Sequence, residues 1–584
     1  MKKSFFVVLV LIFVRIFSQV TPPIQNQGLV KDPFFSNSNP GSNTDASKKV
    51  KHIHSDTAGV SPDKYDGNMV FSGNVQFEHQ GSVLTADEVV FYQKENFLKA
   101  IGNVVLTTPD GNRITAEEME YDGNTQRGIA RRNVVLTDPK QTIKTETLYY
   151  DKIPNTAYFN TGGTIYSNDG SVMYTKTATY YLNTKMIDFV GRSNIETDKY
   201  TIVSDNIKQN QNTGVSDFFG PTTIRNKENP RNYVYTEQGT YNSKTGESFL
   251  NKNSRIHYND KILTGDKLYF NRNTGFGKGN GNVTLDDPKQ NRYIKGGYGE
   301  IYEKKDSAMI TDKPYAVKIL SKDSVYMSAE KFLTFQRPDS ANALKKKSFL
   351  RAFRKVRIFK TNMQGRADSL SFNETDGEMH LMRKPILWMG AKQVTGDEIR
   401  VYSNPEKEIT DSIRVLGNAF AISKADSLNL KDEFNQIKSK NMIVYLKDNA
   451  IDIAKAVGNA QAITYADDTN EKTKEVTRIG VALSTCGEIV AHFIERKLEQ
   501  VDCNIGANSD IYPMSKISKD ERFFKDFNWN TKDRLQKWGD IFLDTPNYPE
   551  IVYQSDNSLF ERAEAERKKL EEKNKPKTPV RVKK

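Results

Sequence analysis

At 584 residues the chain is long enough for several ordinary domains. Only 37% of it is hydrophobic, while Tyr and Phe together number 58, a balance that suits many half-buried strands better than a few large helical cores. The formal charge of +12 raises nucleic acid as a partner, but residues 341–360 hold eight Lys/Arg and no acid, and residues 561–584 hold ten against five. The rest is therefore close to neutral and offers no continuous phosphate-tracking surface.

In chain order, the N-terminus reads MKKSFFVVLVLIFVRIFS. A Lys pair, an apolar run too short to span a bilayer comfortably and a small residue at Ser18 predict a secretory signal over 1–18. Residues 19–64 are rich in Ser, Asn, Pro, Gly and Lys and read as a flexible leader, with order beginning near Tyr65. From there a pattern recurs with a period near thirty residues, its starts falling near Ile101, Arg131, Thr161, Gly191, Gly220, Lys252, Gly281 and Asp312. Gly-Asn followed by Val or Ala marks many of them, as at Gly73, Gly102, Gly281, Gly417 and Gly458. Each unit is a short alternating run, a turn such as PDGN or SNDGS, a second alternating run, another turn and a return run. That grammar predicts hairpins repeated without helices. The return run flows through a Gly into the next unit, which reads as one long strand bent near its middle.

Strand parity places one apolar row on one face. In the first runs these are Val104 and Leu106, then Val134 and Leu136. In the second runs they are Met119 and Tyr121, Leu148 and Tyr150, Tyr180 and Tyr241. Further along come Leu268 and Phe270, Leu333 and Phe335, Leu370 and Phe372, and finally Ile443 and Tyr445. Aligned by stacking, they predict a continuous apolar strip, either a lipid groove or the filled core that any β-array has.

The first array is predicted over 65–335. Residues 336–353 lose alternation and read as a basic insertion or linker, and a second array with longer units follows over 354–514. Residues 515–584 are an aromatic, charged C-terminal segment with a solvated helix and basic tail. The fold class is thus all-β: an elongated, repetitive, folded-over antiparallel array in two consecutive parts. Cys486 and Cys503 flank one hairpin, where a bridge is geometrically allowed and two free half-buried thiols are the alternative.

Nothing in the chain concentrates catalytic chemistry. GFGKGNGN precedes a strand rather than a helix, so it is a turn and not a phosphate loop. His52 and His54 have no companion ligand cluster, carboxylates recur in every unit instead of pairing once, and no Gly-x-Ser-x-Gly elbow occurs. No enzyme activity, cofactor or metal site is read from it.

The recurring Gly-Asn-Val/Ala, turn, and Ala/Gly-Asp/Glu-x-apolar-x-aromatic, as in FSGNVQF, LTADEVVFYQKENFLKAIGNVVL and KQVTGDEIRVYSN, resemble the OstA-like family of lipopolysaccharide-transport proteins over roughly residues 65–510. The resemblance implies a folded-over β-jellyroll in the periplasm whose groove carries the acyl chains of lipopolysaccharide (lipid A). It also implies end-to-end strand pairing with other transport proteins or with itself, bridging inner and outer membrane. The contrasting readings are a structural or adhesive β-solenoid with a packed core and, less favoured, a carbohydrate-active β-helix enzyme.

Overall fold

The computed structural model describes residues 31–35, 49–60, 65–342, 344–425, 432–448, 450–494 and 497–543, together with 565, 568 and 569. The predicted signal segment and nearly all of the basic tail lie outside these residues. The described chain is built from antiparallel strands with a few single 3-10 turns. It divides into two compact units, residues 1–187 and 188–584.

Within each unit the long strands are bent at a β-bulge, and the two halves of a strand pair with halves on the same side only. In unit 1, Ser82–Tyr92 meets Phe97–Thr107 through 83–85 against 105–107 and through 88–92 against 97–101, with the register shifting between Thr85 and Glu88. Later strands are broken outright at the same place: Thr156–Phe159 and Gly163–Ser167 pair with opposite ends of Gln141–Asp151. A unit is therefore two limbs of half-strands joined along a row of hinges, with a seam where the free ends of the limbs face each other. We call limb I the side holding 104–107 in unit 1 and 283–287 in unit 2, and limb II the side holding 97–101 and 276–280.

The hinge explains the repeated motif. Gly102 and Asn103 adopt φ of 78° and 45°, Gly281 and Asn282 of 72° and 46°, Gly417 and Asn418 of 68° and 47°, a region glycine and asparagine tolerate best. Across each hinge lies the Asp of the Ala/Gly-Asp motif. Asn103 donates to Asp87 at 2.9 Å, Asn282 to Asp266 at 2.9 Å and Asn418 to Asp397 at 3.1 Å. A Cβ on Gly102 would sit 2.4 Å from Asp87 Oδ2. The two halves of the sequence signature are thus one structural device seen from adjacent strands.

Three expectations are corrected. The leader is not free of order: Lys51–His54 and Thr57–Val60 pair with Met69–His79, and Asp56 between them is the partner of Asn74 at 3.0 Å. Its Phe34 and Phe35 cap the exterior of limb II, where Phe35 is buried among Val90, Tyr92, Phe97 and Ile129. Lys31 pairs with Asp122 at 2.8 Å and Arg131 with Asp32 at 3.2 Å. Polar composition hid these short strands because they are edge strands with exposed side chains.

Secondly, 336–353 is no linker. Lys331–Pro338 and Lys346–Lys360 pair from Lys331↔Phe353 to Pro338↔Lys346 inside unit 2. Alternation persists there, with Ser348, Leu350 and Ala352 buried, but the outer positions mix Lys347 and Arg351 with Phe349 and Phe353 and mask it. Thirdly, the two compact units divide at 187/188 rather than near 336–353.

Candidate functional site: the interior and its seam

The apolar interior is lined by alternate residues of both limbs. In unit 1, Val104, Leu106, Met119, Tyr121, Val134, Leu136, Leu148, Tyr150 and Tyr180 face inward and are buried. In unit 2, Tyr241, Leu268 and Leu370 do the same, while Phe270 and Phe372 are half-buried at the rim beside the seam. Two pairs sit on the wrong face. Phe332 and Thr334 are inward and buried, which turns Leu333 and Phe335 outward; Phe335 stacks on the outward Phe349 with ring centroids 5.2 Å apart. Met442 and Val444 are inward, leaving Ile443 half-buried outside and Tyr445 40% exposed. Both errors come from runs, KFLTF and NMIVYL, that are apolar at both parities, so the position of the aromatic misled the choice of face.

The seam is laced by polar contacts in each unit. In unit 1 the inward Tyr121 hydroxyl meets His79 Nδ1 at 2.7 Å, Lys152 donates to the carbonyl of His79 at 2.9 Å, and Asn155 donates to Asp110 at 2.9 Å. Asp138, whose side chain is fully buried, takes Lys185 at 2.8 Å and the Tyr180 hydroxyl. Burial alone would raise the Asp138 carboxyl, but these donors and the backbone of Lys140 hold it below the usual range.

In unit 2, Arg272 lies over the rings of Tyr200 and Tyr241, 5.0 Å from each, and Asn232 and Asn259 reach across to Glu303 and Asp306. Arg292 of limb I faces Glu374 of limb II at 2.6 Å, both side chains 1% exposed, in an ion pair that lacks the alignment of a hydrogen bond. Burial pushes the Glu374 carboxyl up against the pull of Arg292 and Lys318, and pushes the nearby Lys261 ammonium down. Ser321 then donates to Glu408 through N and Oγ at 2.8 and 2.6 Å.

Beyond that latch lies a cavity of about 300 Å³ between the limb ends. The limb I lip is the turn at Lys360–Met363 and the turn at Met389–Lys392; the limb II lip holds Ile413, Leu446, Ile451 and Phe493. A second, more polar cavity of about 410 Å³ adjoins it, sharing Lys360 and Asn362 and adding Lys322 and Lys407. Composition pointed to none of these lip residues, because most of them sit at strand ends, where the role depends on which limb ends meet rather than on parity.

Limb I is held from outside by residues 514–543. Gln436 donates to the carbonyl of Arg522 at 2.9 Å and accepts from Phe524 N at 3.0 Å. Gln393 does the same with Asn528 and Asn530 at 2.7 and 2.9 Å, and Gln364 accepts from Arg534 at 3.0 Å. Phe523, Phe524, Phe527 and Trp529 bury themselves on Phe420, Phe434, Ile463 and Leu483. At the last strands Cys486 and Cys503 are joined by a disulfide, with Cα atoms 5.6 Å apart.

Two limbs hinged at bulges around an apolar interior define a class: an all-β array of folded-over antiparallel strands, a folded-over β-jellyroll. Residues 47–205 match the family described as OstA-like protein. No curated protein matches the chain. Among the described residues no helix is long and apolar enough to cross a membrane, and no group of three His, Cys, Asp or Glu is placed to hold a metal ion.

Proposed function

We infer that the chain is an exported, non-enzymatic lipopolysaccharide-transport protein of the periplasm. Its interior holds lipid acyl chains between the limbs while the sugars stay in water, and its end strands pair with other transport proteins or with a second copy to bridge inner and outer membrane. The observation that carries this reading is the hinged, seamed interior in a chain whose residues 47–205 match the OstA-like family. An interior bounded by two separable lips admits a chain from the side, and each buried CH₂ contributes about 0.8 kcal/mol, so retention needs no catalytic group. The last strands also support the partner reading: Val501 and Ile511, inward by register, are more than half exposed, as an unpaired end of an array would be.

A second reading, a structural solenoid with a filled core, is favoured by one observation. The inward side chains of unit 1 are almost inaccessible, Val104 and Leu148 at 0%. Extraction of lipid from the protein purified from cell envelopes without detergent separates the two. A lipid A-bearing species in near-stoichiometric amount is expected from the transport reading, and a lipid-free protein from the filled core.

A further inference from the structure

The seam is not uniform, and the gap beyond Ser321–Glu408 has a composition of its own. The cavity beyond Ser321–Glu408 is lined by Met363, Met389, Leu446 and Phe493, with Lys360 and Lys392 on the limb I lip. Lys322 and Lys407 stand around the adjoining cavity. Against these four lysines the same rim holds two carboxylates, Glu408, bonded to Ser321, and Asp323, bonded to Thr361 N and Oγ1 at 3.3 Å each. The lip thus presents a surplus of ammonium groups beside an apolar slot, the two ends of a charged amphiphile in complement.

Several inward positions behind the gap carry short side chains, as Ala316 and Ala352 do earlier in unit 2. Ala421 pairs with Ile437 and then Ala462 on limb I, and Val444 with Ala454 and Ala491 on limb II. Short side chains on both limbs leave space that long ones fill. A volume of about 300 Å³ falls at the lower end of small-molecule sites, which run from roughly 300 to 1,000 Å³. Gln364, Trp388 and Gln393, which alternate with the lip residues Met363, Met389 and Lys392, are fixed from outside by residues 528–534. The limb I lip is therefore held in place rather than free to collapse into the slot.

We propose that this gap is a lateral port that binds an anionic amphiphile, its phosphate or carboxylate headgroup on Lys360 and Lys392 and its acyl chain in the slot between Met363, Met389, Leu446 and Phe493. The proposal rests on the lipid-carrying reading of the interior, and it adds where along the chain a lipid passes between water and interior, and by which end it is recognised.

The test is photolabelling of the full chain with dodecyl phosphate carrying a diazirine at the chain end, read by peptide mapping. Label is expected on peptides containing Met363, Met389 or Phe493. Unlabelled dodecyl phosphate should displace it, whereas inorganic phosphate or dodecyl maltoside should not. The Lys360→Gln, Lys392→Gln double variant, checked for an unchanged unfolding midpoint, should lose labelling about tenfold or more, since each lysine near an anionic headgroup is worth on the order of 1 kcal/mol. Label confined to remote interior peptides, such as those with Leu285 or Leu350, would overturn the port and leave the lipid-carrying interior standing. Label on neither would overturn both. Port labelling undiminished in the double variant, or equal displacement by the maltoside, would overturn the anionic recognition.

Discussion

The hinge is where single residues decide most. Gly102 holds φ at 78° with Asp87 packed where a Cβ would go. Gly102→Ala is therefore strained twice, and unit 1 should lose roughly 1–3 kcal/mol, read as a lower urea midpoint; an unchanged midpoint would mean the bulge relaxes freely. Asp138 supplies a pH signature. Its folded-state carboxyl titrates below the usual range, after the opposing effect of burial is overcome by Lys185 and Tyr180. Its contribution is thus fully present above the ordinary aspartate range near pH 4 and is lost as pH falls from there through the depressed value. Asp138→Asn should be less stable than the parent at pH 7, with the difference narrowing as pH falls below about 4; a constant difference would rule out this latch. Across the unit 2 seam, Glu374→Leu removes one of the two buried carboxylates around Arg292, leaving Asp287 bonded to it at 2.9 Å, and should cost roughly 1–3 kcal/mol, read as a lower urea midpoint. Of these residues, the Gly-Asn and Asp positions were visible in the sequence as recurring motifs. Their meeting across the hinge was not, because they lie in different runs, and pairing between runs is set by register rather than by local pattern.

At the scale of elements, the strands and turns followed from alternation and turn chemistry, whereas two segments did not. The strands at 51–54 and 57–60 are short and exposed, and they are ordered by backbone pairing with Met69–His79 and by the His52 ring stacked on Phe71 at 4.2 Å. Residues 514–543 were legible as aromatic and charged, yet their role depends on three glutamines spread over 364–436 that point out of limb I, two meeting the segment's backbone and Gln364 the Arg534 side chain. A buried Gln read alone carries no such signal. Gln436→Leu would strand the carbonyl of Arg522 and the N–H of Phe524, each costing about 1–3 kcal/mol when buried. The Phe524 amide should then exchange with solvent markedly faster, and unaltered protection would show that the aromatic cluster alone holds the segment. The parity errors at Leu333, Phe335, Ile443 and Tyr445 belong to this scale as well. A run apolar on both faces does not say which face is inside, and the neighbouring strand settles it.

For the molecule as a whole, the all-β class and the near-thirty-residue period were legible because the same device recurs many times and each copy reinforces the others. The seam was not, since it is made by turns from opposite ends of distant strands. It is the feature that separates a carrier from a filled solenoid. The central claim is that acyl chains lie between the limbs. It is tested most directly by in-cell photocrosslinking from benzoylphenylalanine placed at Phe270 and Phe372, on the inner rim, and at Phe335 and Tyr445, outside. The account predicts lipopolysaccharide adducts from 270 and 372 and none from 335 and 445; absence of adducts at both inner positions, in protein that unfolds with the parent's midpoint, would contradict it.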